Sequence, residues 1–472
     1  MTAQKNDLPK APQLEQAACR VPIPKGVSGE CYNLTVPESR RRQNSRTIVL
    51  PVVIIKSTSS KPSPDPVIYT AGGPGVGSLG MVRGAANLVP YTKDRDFIIF
   101  EQRGTQYAEP NLQCPEVNEA LHKNRELNRS PKNSAKAEIG AAKTCRDRLS
   151  KMGVDLGVYN SSESAADMDD LRNLLGIKKW NLYGISYSTR LMINYVREYP
   201  NKVRSIILDS VLPPTANWDE TGIENVVGSL DLIFNACSED KSCSVKYADL
   251  KNTFNRTIKD LDRSPAKVDA VIDGKKVPVK LIGRDFVDLI YNLLESTGSL
   301  QAIPWTIDAI SKHNYEPLKA YAENALTSSG FIWGMRYSVW CTEEMPFQSQ
   351  RKISEMVKRY PNLRGFSIQG TFPQICKVWN VPAAEPVEND MVRIPVPVLV
   401  FGGEFDPDTP PDWGQKVASW SEKGYFFKVK STSHQAMGRR CTFAEMPIAF
   451  LNDPDTKPDS GCLNDIETIR FK

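Results

Sequence analysis

The sequence predicts an α/β fold, with a mainly parallel central sheet covered on both faces and a mostly helical cap inserted between its two halves. Three observations carry that expectation. Short apolar runs rich in Val, Ile and Phe alternate with segments of helical spacing over residues 46–214. The alternation stops after Val211-Leu212-Pro213-Pro214, and residues 215–390 read as helices with one hairpin. It resumes over residues 391–472. The reading therefore divides the chain into an N-terminal arm (1–45), a first core half (46–214), a helical cap (215–390) and a second core half (391–472).

The strands expected in the first half are Thr47–Lys56, Pro66–Thr70, Asp96–Phe100, Lys179–Tyr183 and Val203–Leu208, each apolar and bounded by turn residues. Helices are expected at Ser164–Leu175 and Thr189–Tyr199. The Lys- and Asn-rich segment Pro110–Ser162 reads as a peripheral helical insertion. In the cap, Val268–Val279 reads as a hairpin turning at Asp273-Gly274. The second half supplies strands Ile394–Gly402 and Tyr425–Val429 and helices Asp412–Trp420 and Thr442–Leu451.

A chain of 472 residues suits a large core domain with an insertion. Its composition, 40% hydrophobic and 24% charged, is that of an ordinary globular protein, and a net charge of +5 gives no nucleic-acid signature. Arg40-Arg41-Arg42 reads as a solvated turn. No apolar stretch approaches the roughly 18 residues of a membrane span. The oligomeric state stays open, with a monomer favoured. Ten cysteines fall into neighbouring pairs along the chain: Cys19 with Cys31, Cys114 with Cys145, Cys237 with Cys243, Cys341 with Cys376, and Cys441 with Cys462. An even count without a Cys-x-x-Cys pair, beside only three histidines, argues for local disulfides and against a zinc site. The chain therefore reads as a mature secreted or periplasmic protein, since Met1-Thr2-Ala3-Gln4 runs straight into polar residues with no leader. Asn33-Leu34-Thr35 and Asn255-Arg256-Thr257 match glycosylation sequons.

Gly184-Ile185-Ser186-Tyr187-Ser188 lies between the Trp180 strand and a helix. A sharp strand-to-helix turn presents a serine hydroxyl at the sheet edge, small neighbours let strand and helix pass closely, and the helix N-terminus favours negative charge there. Ser188 stands where glycine is usual. A serine nucleophile needs a base. Of His122, His313 and His434, only His434 follows a strand of the core, on the edge that carries Ser186. Asp406, directly after the Val398–Phe401 run, is the expected orienting carboxylate, with Glu404 and Asp408 as rivals. The oxyanion requires two backbone donors. Tyr187 N–H is one, and Gly73 in Ala71-Gly72-Gly73-Pro74-Gly75 is the other, with Gly72 as alternative.

Gly72-Gly73-Pro74-Gly75, Glu101-Gln102-Arg103-Gly104-Thr105, Gly184-Ile185-Ser186-Tyr187-Ser188, Asp406-Pro407-Asp408-Thr409-Pro410 and His434 together resemble the proline iminopeptidase and tripeptidyl aminopeptidase branch of the α/β-hydrolases, over about residues 45–462. The order Ser186, Asp406, His434 is that of an α/β-hydrolase. Departures are Glu101 for aspartate, Ser188 for glycine, and Ala71 for histidine or proline. The resemblance implies an α/β-hydrolase fold and cleavage of short peptides from a free N-terminus, with no metal or organic cofactor. It also implies a cap carboxylate for the substrate ammonium, with Glu343 first and Glu344 second in Cys341-Thr342-Glu343-Glu344. Trp333, Trp340 and Phe331 are candidates for an apolar pocket. Arg103 is expected to brace the Gly-rich loop. The alternative function is a carboxylesterase or amidase on a small ester, lactone or xenobiotic, and a minor one is a non-catalytic binding protein on this scaffold.

Overall fold

Strands β1 (Gln13–Gln16), β2 (Gly29–Pro37), β3 (Thr47–Ile55), β4 (Val67–Thr70), β5 (Phe97–Phe100), β6 (Trp180–Ile185), β7 (Val203–Asp209), β10 (Val398–Gly403) and β11 (Gly424–Val429) form one sheet in the order β1-β2-β3-β5-β4-β6-β7-β10-β11. This computed structural model describes residues 12–272, 274–327, 331–363 and 372–471. Residues 1–11 of the expected arm and the turn residue Asp273 lie outside the described residues. From β5 to β11 every neighbouring pair is parallel, while β1, β2 and β3 pair antiparallel. β1 and β2 correct the reading of residues 1–45 as an arm: polar Gln13–Gln16 is an edge strand, and β2 pairs with β3 along its full length.

The central strands are apolar throughout because both faces are covered. Leu182, Ile206 and Val400 pack under Leu191 and Met192 on one face. Tyr183, Ile207 and Phe401 meet Leu79, Met446 and Phe450 on the other. β10 begins at Val398 rather than Ile394, since Pro395 and Pro397 lack the amide that a ladder needs. Between β7 and β10 the chain runs through helices and the hairpin β8 (Ala266–Ile272) and β9 (Lys275–Leu281), which close around a separate core centred on Phe254, Phe286 and Ile290. The 110–162 segment forms helices Pro115–Glu126 and Pro131–Lys151, joined by Cys114–Cys145. All five cysteine pairs are bonded as the spacing suggests.

This topology brings the loops that follow β4, β6, β7, β10 and β11 to one edge, the carboxyl ends of parallel strands, where open α/β sheets build their sites. Arg103 does not brace the Gly-rich loop there. Its buried guanidinium donates to both Asp167 oxygens and to the carbonyls of Glu38 and Val158, each at 2.7 Å. It ties the β2–β3 connection to helix Ser161–Leu174. Losing one partner of a buried ion pair leaves an uncompensated charge. Arg103→Met is therefore expected to lower unfolding free energy by about 3–5 kcal/mol, measured by urea denaturation, with the Ser186 edge otherwise unaltered.

Candidate active site

Ser186 is the residue between β6 and helix Tyr187–Glu198, with φ +55° and ψ −130°. The helix supplies its first amides, which have no intrahelical acceptor, beside the hydroxyl. A side chain at Gly184 would meet the Ser188 carbonyl oxygen at 2.8 Å and Met192 Cγ at 2.9 Å, so strand and helix cross too closely for any residue but glycine. Ser188 is more than a tolerated small residue. Its buried hydroxyl accepts from Ile185 N–H at 2.8 Å and lies 2.8 Å from the Thr70 carbonyl and 2.9 Å from that of Ile185, so it stitches the turn to β4.

The Gly-rich loop after β4 lies directly against Ser186. A Cβ on Gly72 would fall 2.8 Å from Ile185 O and from Ser186 Cβ, and 3.3 Å from Ser186 Oγ. Gly73 has φ +112°, which suits glycine alone. The loop is held from the core by Ser78 Oγ, which accepts from Ala71 N–H at 2.9 Å, and by Gln102 Nε2, which donates to Ala71 O at 2.7 Å. Glu101 accepts from Leu79 N–H (3.0 Å), Tyr107 N–H (3.1 Å) and Thr105 Oγ1 (2.7 Å). Burial raises the pKa of this carboxyl against those donors. The bracing expected of Arg103 thus comes from its neighbours Glu101 and Gln102.

His434 follows β11, and its Nδ1 lies 2.9 Å from Asp406 Oδ2. Asp406 is buried and accepts from Asp408 N–H (2.9 Å), Thr409 N–H (2.9 Å) and Thr409 Oγ1 (2.8 Å). Burial alone would raise its pKa, but His434 and these donors outweigh it and hold the pKa below the ordinary value. Burial likewise opposes the charged form of His434, and the carboxylates of Asp406, Asp408 and Glu295 outweigh it, raising the histidine pKa. Glu404 instead accepts from Ser431 N–H at 2.8 Å, and Asp408 turns to the cavity. His122 is half-buried and His313 exposed, both away from this edge. Asp209, at the end of β7, was not foreseen. It accepts from Ala436 N–H (2.7 Å) and Met437 N–H (3.1 Å) and so fixes the turn after His434. Burial pushes its pKa up to about 6.

Ser186, Tyr187, Gly72, Gly73 and His434 line one cavity of about 390 Å³, with Trp218, Trp340, Phe331, Leu212 and Val76 as apolar walls. Its charged lining is Glu295, Asp408 and Arg336; the sequence offers Asp408 only as a rival to Asp406 and does not place Glu295 or Arg336 there. Glu295 ends helix Gly283–Glu295 and faces Asp408 electrostatically, and the Tyr291 hydroxyl donates to Asp408 Oδ1. Burial, then the Asp408 charge, raises the Glu295 pKa to about 9.

Glu343 and Glu344 do not line this cavity. Both are buried. Glu343 accepts from Ser161 N–H (2.5 Å) and Ser161 Oγ (2.7 Å), and Ser161 Oγ is in turn 2.8 Å from the Tyr187 hydroxyl. Glu344 pairs with Arg190 and accepts from Trp218 N–H at 3.3 Å. Burial and then Glu388 raise the Glu343 pKa to about 7. Trp340 is in the wall as expected, but Trp333 does not line the cavity, its indole donating to Asn118 at 2.9 Å.

A family model described as alpha/beta hydrolase fold matches residues 65–437. The serine protease Hip1 of Mycobacterium tuberculosis (strain ATCC 25618 / H37Rv) is 24% identical over 485 residues, covering 95% of this chain and 90% of its own. A tripeptidyl aminopeptidase of Streptomyces lividans is 28% identical over 228 residues, covering 45% of this chain and 41% of its own. Among solved structures, the alpha/beta hydrolase enzyme MGS-M2 from a deep-sea metagenome library is similar with a TM-score of 0.41 at 12% identity, covering 88% of this chain and 97% of its own. A thermophilic esterase from Thermogutta terrifontis is similar with a TM-score of 0.38 at 14% identity, covering 90% and 99%.

Gly72→Ala places a methyl group against Ile185 O and Ser186, so loop or serine must shift. A displacement of that order is expected to lower kcat/KM on an activated ester about 100-fold. Gly80→Ala, where a Cβ meets nothing within 4 Å, serves as the control and is expected to leave turnover unchanged.

Proposed function

Because the chain belongs to the alpha/beta hydrolase fold family, we propose that it is a serine peptidase removing residues or short peptides from a free N-terminus. Ser186 Oγ attacks the acyl carbon, and His434 takes its proton. Tyr187 N–H and Gly73 N–H receive the charge on the carbonyl oxygen. His434 then returns the proton to the leaving amine, leaving an acyl-serine. A water deprotonated by His434 displaces Ser186, and the enzyme regains its starting state. Asp406 holds the imidazole tautomer and favours the imidazolium formed in each half-reaction.

The observation that carries the peptide reading is the acid pair in the cavity wall. Glu295 and Asp408 line the cavity together beside His434 and act on one another electrostatically, with Tyr291 donating to the Asp408 carboxylate. A substrate ammonium entering between them gains charge-assisted hydrogen bonds within reach of the serine. These residues take the part first expected of Glu343 and Glu344. The apolar walls of Trp218, Trp340 and Phe331 favour the second reading, a small-ester hydrolase, because they suit an uncharged acyl group equally well. Five disulfides support an oxidising compartment.

Aminoacyl- and tripeptidyl-anilides, their N-acetylated versions and short-chain aryl esters separate the readings. Anilide hydrolysis is expected for free N-termini, with acetylation lowering kcat/KM about 10- to 100-fold, the worth of a hydrogen bond to a charged group. Ser186→Ala is expected to be inactive on the whole panel. Ester turnover without anilide turnover would leave the ester reading standing alone. In the double variant Glu295→Gln/Asp408→Asn, free and acetylated substrates are expected to react alike. Either single substitution leaves one acid in place and is expected to have the smaller effect.

His434 must be neutral to accept the serine proton. Its raised pKa keeps it protonated further up the pH scale, so kcat/KM is expected to rise with pH through a midpoint above the ordinary histidine value of about 6.5. Replacing both acids removes the negative charge that the Glu295–Asp408 pair carries and is expected to move that midpoint to lower pH in a pH–rate profile. A midpoint that does not move would remove those carboxylates from contact with the base.

A further inference from the structure

We infer that Arg336, in the segment inserted between β7 and β10, is the positioning residue that aims the Gly-rich loop at Ser186. The inference rests on the serine-hydrolase reading and adds to it the part of the molecule that sets the loop's geometry.

The loop has little rigidity of its own. Gly72, Gly73 and Gly75 lie within four positions, two of them at positive φ, and glycine has more backbone freedom to lose than any other residue. Ala71 is held from the core, as described. Beyond it, two backbone carbonyls of the loop are held by the inserted segment. Arg336 Nη1 donates to Gly73 O at 2.8 Å, and Ile332 N–H donates to Gly75 O at 3.2 Å. The two segments also touch closely: a Cβ on Gly75 would stand 2.7 Å from Ile332 O. The Gly72–Gly73 peptide, whose N–H is the expected oxyanion donor, therefore sits between an anchor at Ala71 and an anchor at Gly73.

The guanidinium is itself well fixed. It lies over the Trp340 ring at 4.4 Å and near the Phe331 ring at 5.6 Å, and faces Tyr291, Asp219 and Asp408 electrostatically. A planar guanidinium stacked on an aromatic face holds its donors in a set direction, which a lysine cannot reproduce. Arg336 precedes by seven residues the Glu343 that anchors Ser161 and, through it, the Tyr187 side chain. One continuous segment, Ile332–Glu344, thus contacts the Gly73 loop directly and reaches the Tyr187 side chain through Ser161.

The test compares wild type, Arg336→Lys, Arg336→Gln and Arg336→Ala on one aryl ester and one anilide, with a peptide boronic acid as the probe for the tetrahedral state. Displacing a donor without deleting it is expected to lower kcat about 10- to 100-fold in the lysine and glutamine variants. KM should stay within about threefold, and boronate affinity should fall in parallel with kcat/KM. Free guanidinium ion is expected to restore part of the activity of Arg336→Ala. A raised KM at unchanged kcat would make Arg336 a substrate contact and overturn the inference, as would unchanged kinetics. If no Arg336 variant can be recovered folded, by circular dichroism and thermal unfolding, the residue serves stability and the inference again fails. Residual activity in Ser186→Ala would be a different failure, that of the serine-hydrolase reading, and the same assays report it separately.

Discussion

Ser186 keeps a left-handed backbone conformation, φ +55° and ψ −130°, at the junction of β6 and the following helix, a geometry that costs about 1–3 kcal/mol for a residue with a side chain. It is tenable only because backbones around it approach without side chains between them. Gly184 lets the helix cross the strand, Gly72 lets the β4 loop reach the serine, and Gly403 lets the end of β10 lie against the Ser433 carbonyl just before His434. Each of these three glycines lies at or beside the carboxyl end of a parallel strand. The strain at one serine is therefore offset by the packing of the whole sheet edge, and the distance from serine to loop and from Asp406 to His434 is set by the same absence of Cβ atoms.

The inserted segment is bound into this edge by charge as well as shape. Arg190, on the helix after Ser186, is buried between Glu343 and Glu344, and its second nitrogen donates to Pro214 O at 2.9 Å. Burying an arginine with two carboxylates is expensive unless every group is paired, and a buried pair is strongly destabilised when one partner is removed. Such a cluster does not stay open to a diffusing ammonium. Acids already committed to Arg190 and Ser161 hold the inserted segment to the core, so the proposed peptide reading assigns the substrate ammonium to acids in the cavity wall.

The residues legible in the sequence were those whose chemistry is local. Ser186 announces itself by a strand, a tight turn and a helix within a few positions. Asp406 follows an apolar strand directly, and with only three histidines the assignment of His434 needed little more than its place after β11. Neighbouring cysteines pair across short loops for the same reason. Glu295, Arg336 and Asp209 were not legible. Glu295 ends a helix whose pattern looks like any amphipathic surface helix, and it meets Asp408 across more than a hundred residues. Arg336 finds Gly73 at a separation of 263 residues. Asp209 looks like the polar end of a strand until the His434 turn folds onto it. Misplaced Glu343 and Glu344 had the converse difficulty: two adjacent acids read as exposed or substrate-facing, because nothing nearby in sequence shows the Arg190 that buries them.

On the proposed reading, Asp408 links recognition to catalytic geometry. Its amide donates to Asp406 Oδ1, its carbonyl accepts from Trp218 Nε1 at 2.9 Å, and its side chain faces the cavity with Tyr291 and Glu295. A shift of this residue to suit a substrate would also move the carboxylate that orients His434. Glu295 has no such tie to Asp406. It is placed beside His434 by its helix end, where Ser433 Oγ donates to Leu294 O and Ser433 N–H donates to Thr297 Oγ1 at 2.9 Å. On the proposed reading the pair therefore divides its work: Asp408 is tied to Asp406 through its backbone, and Glu295 is the member that can change without disturbing Asp406. Substrate preference on this scaffold should accordingly be tuned at position 295 before position 408, and a comparison of the two single variants reads the division directly: a partial loss of discrimination at near-constant ester turnover for Glu295→Gln, and a partial loss of discrimination accompanied by lowered ester turnover for Asp408→Asn.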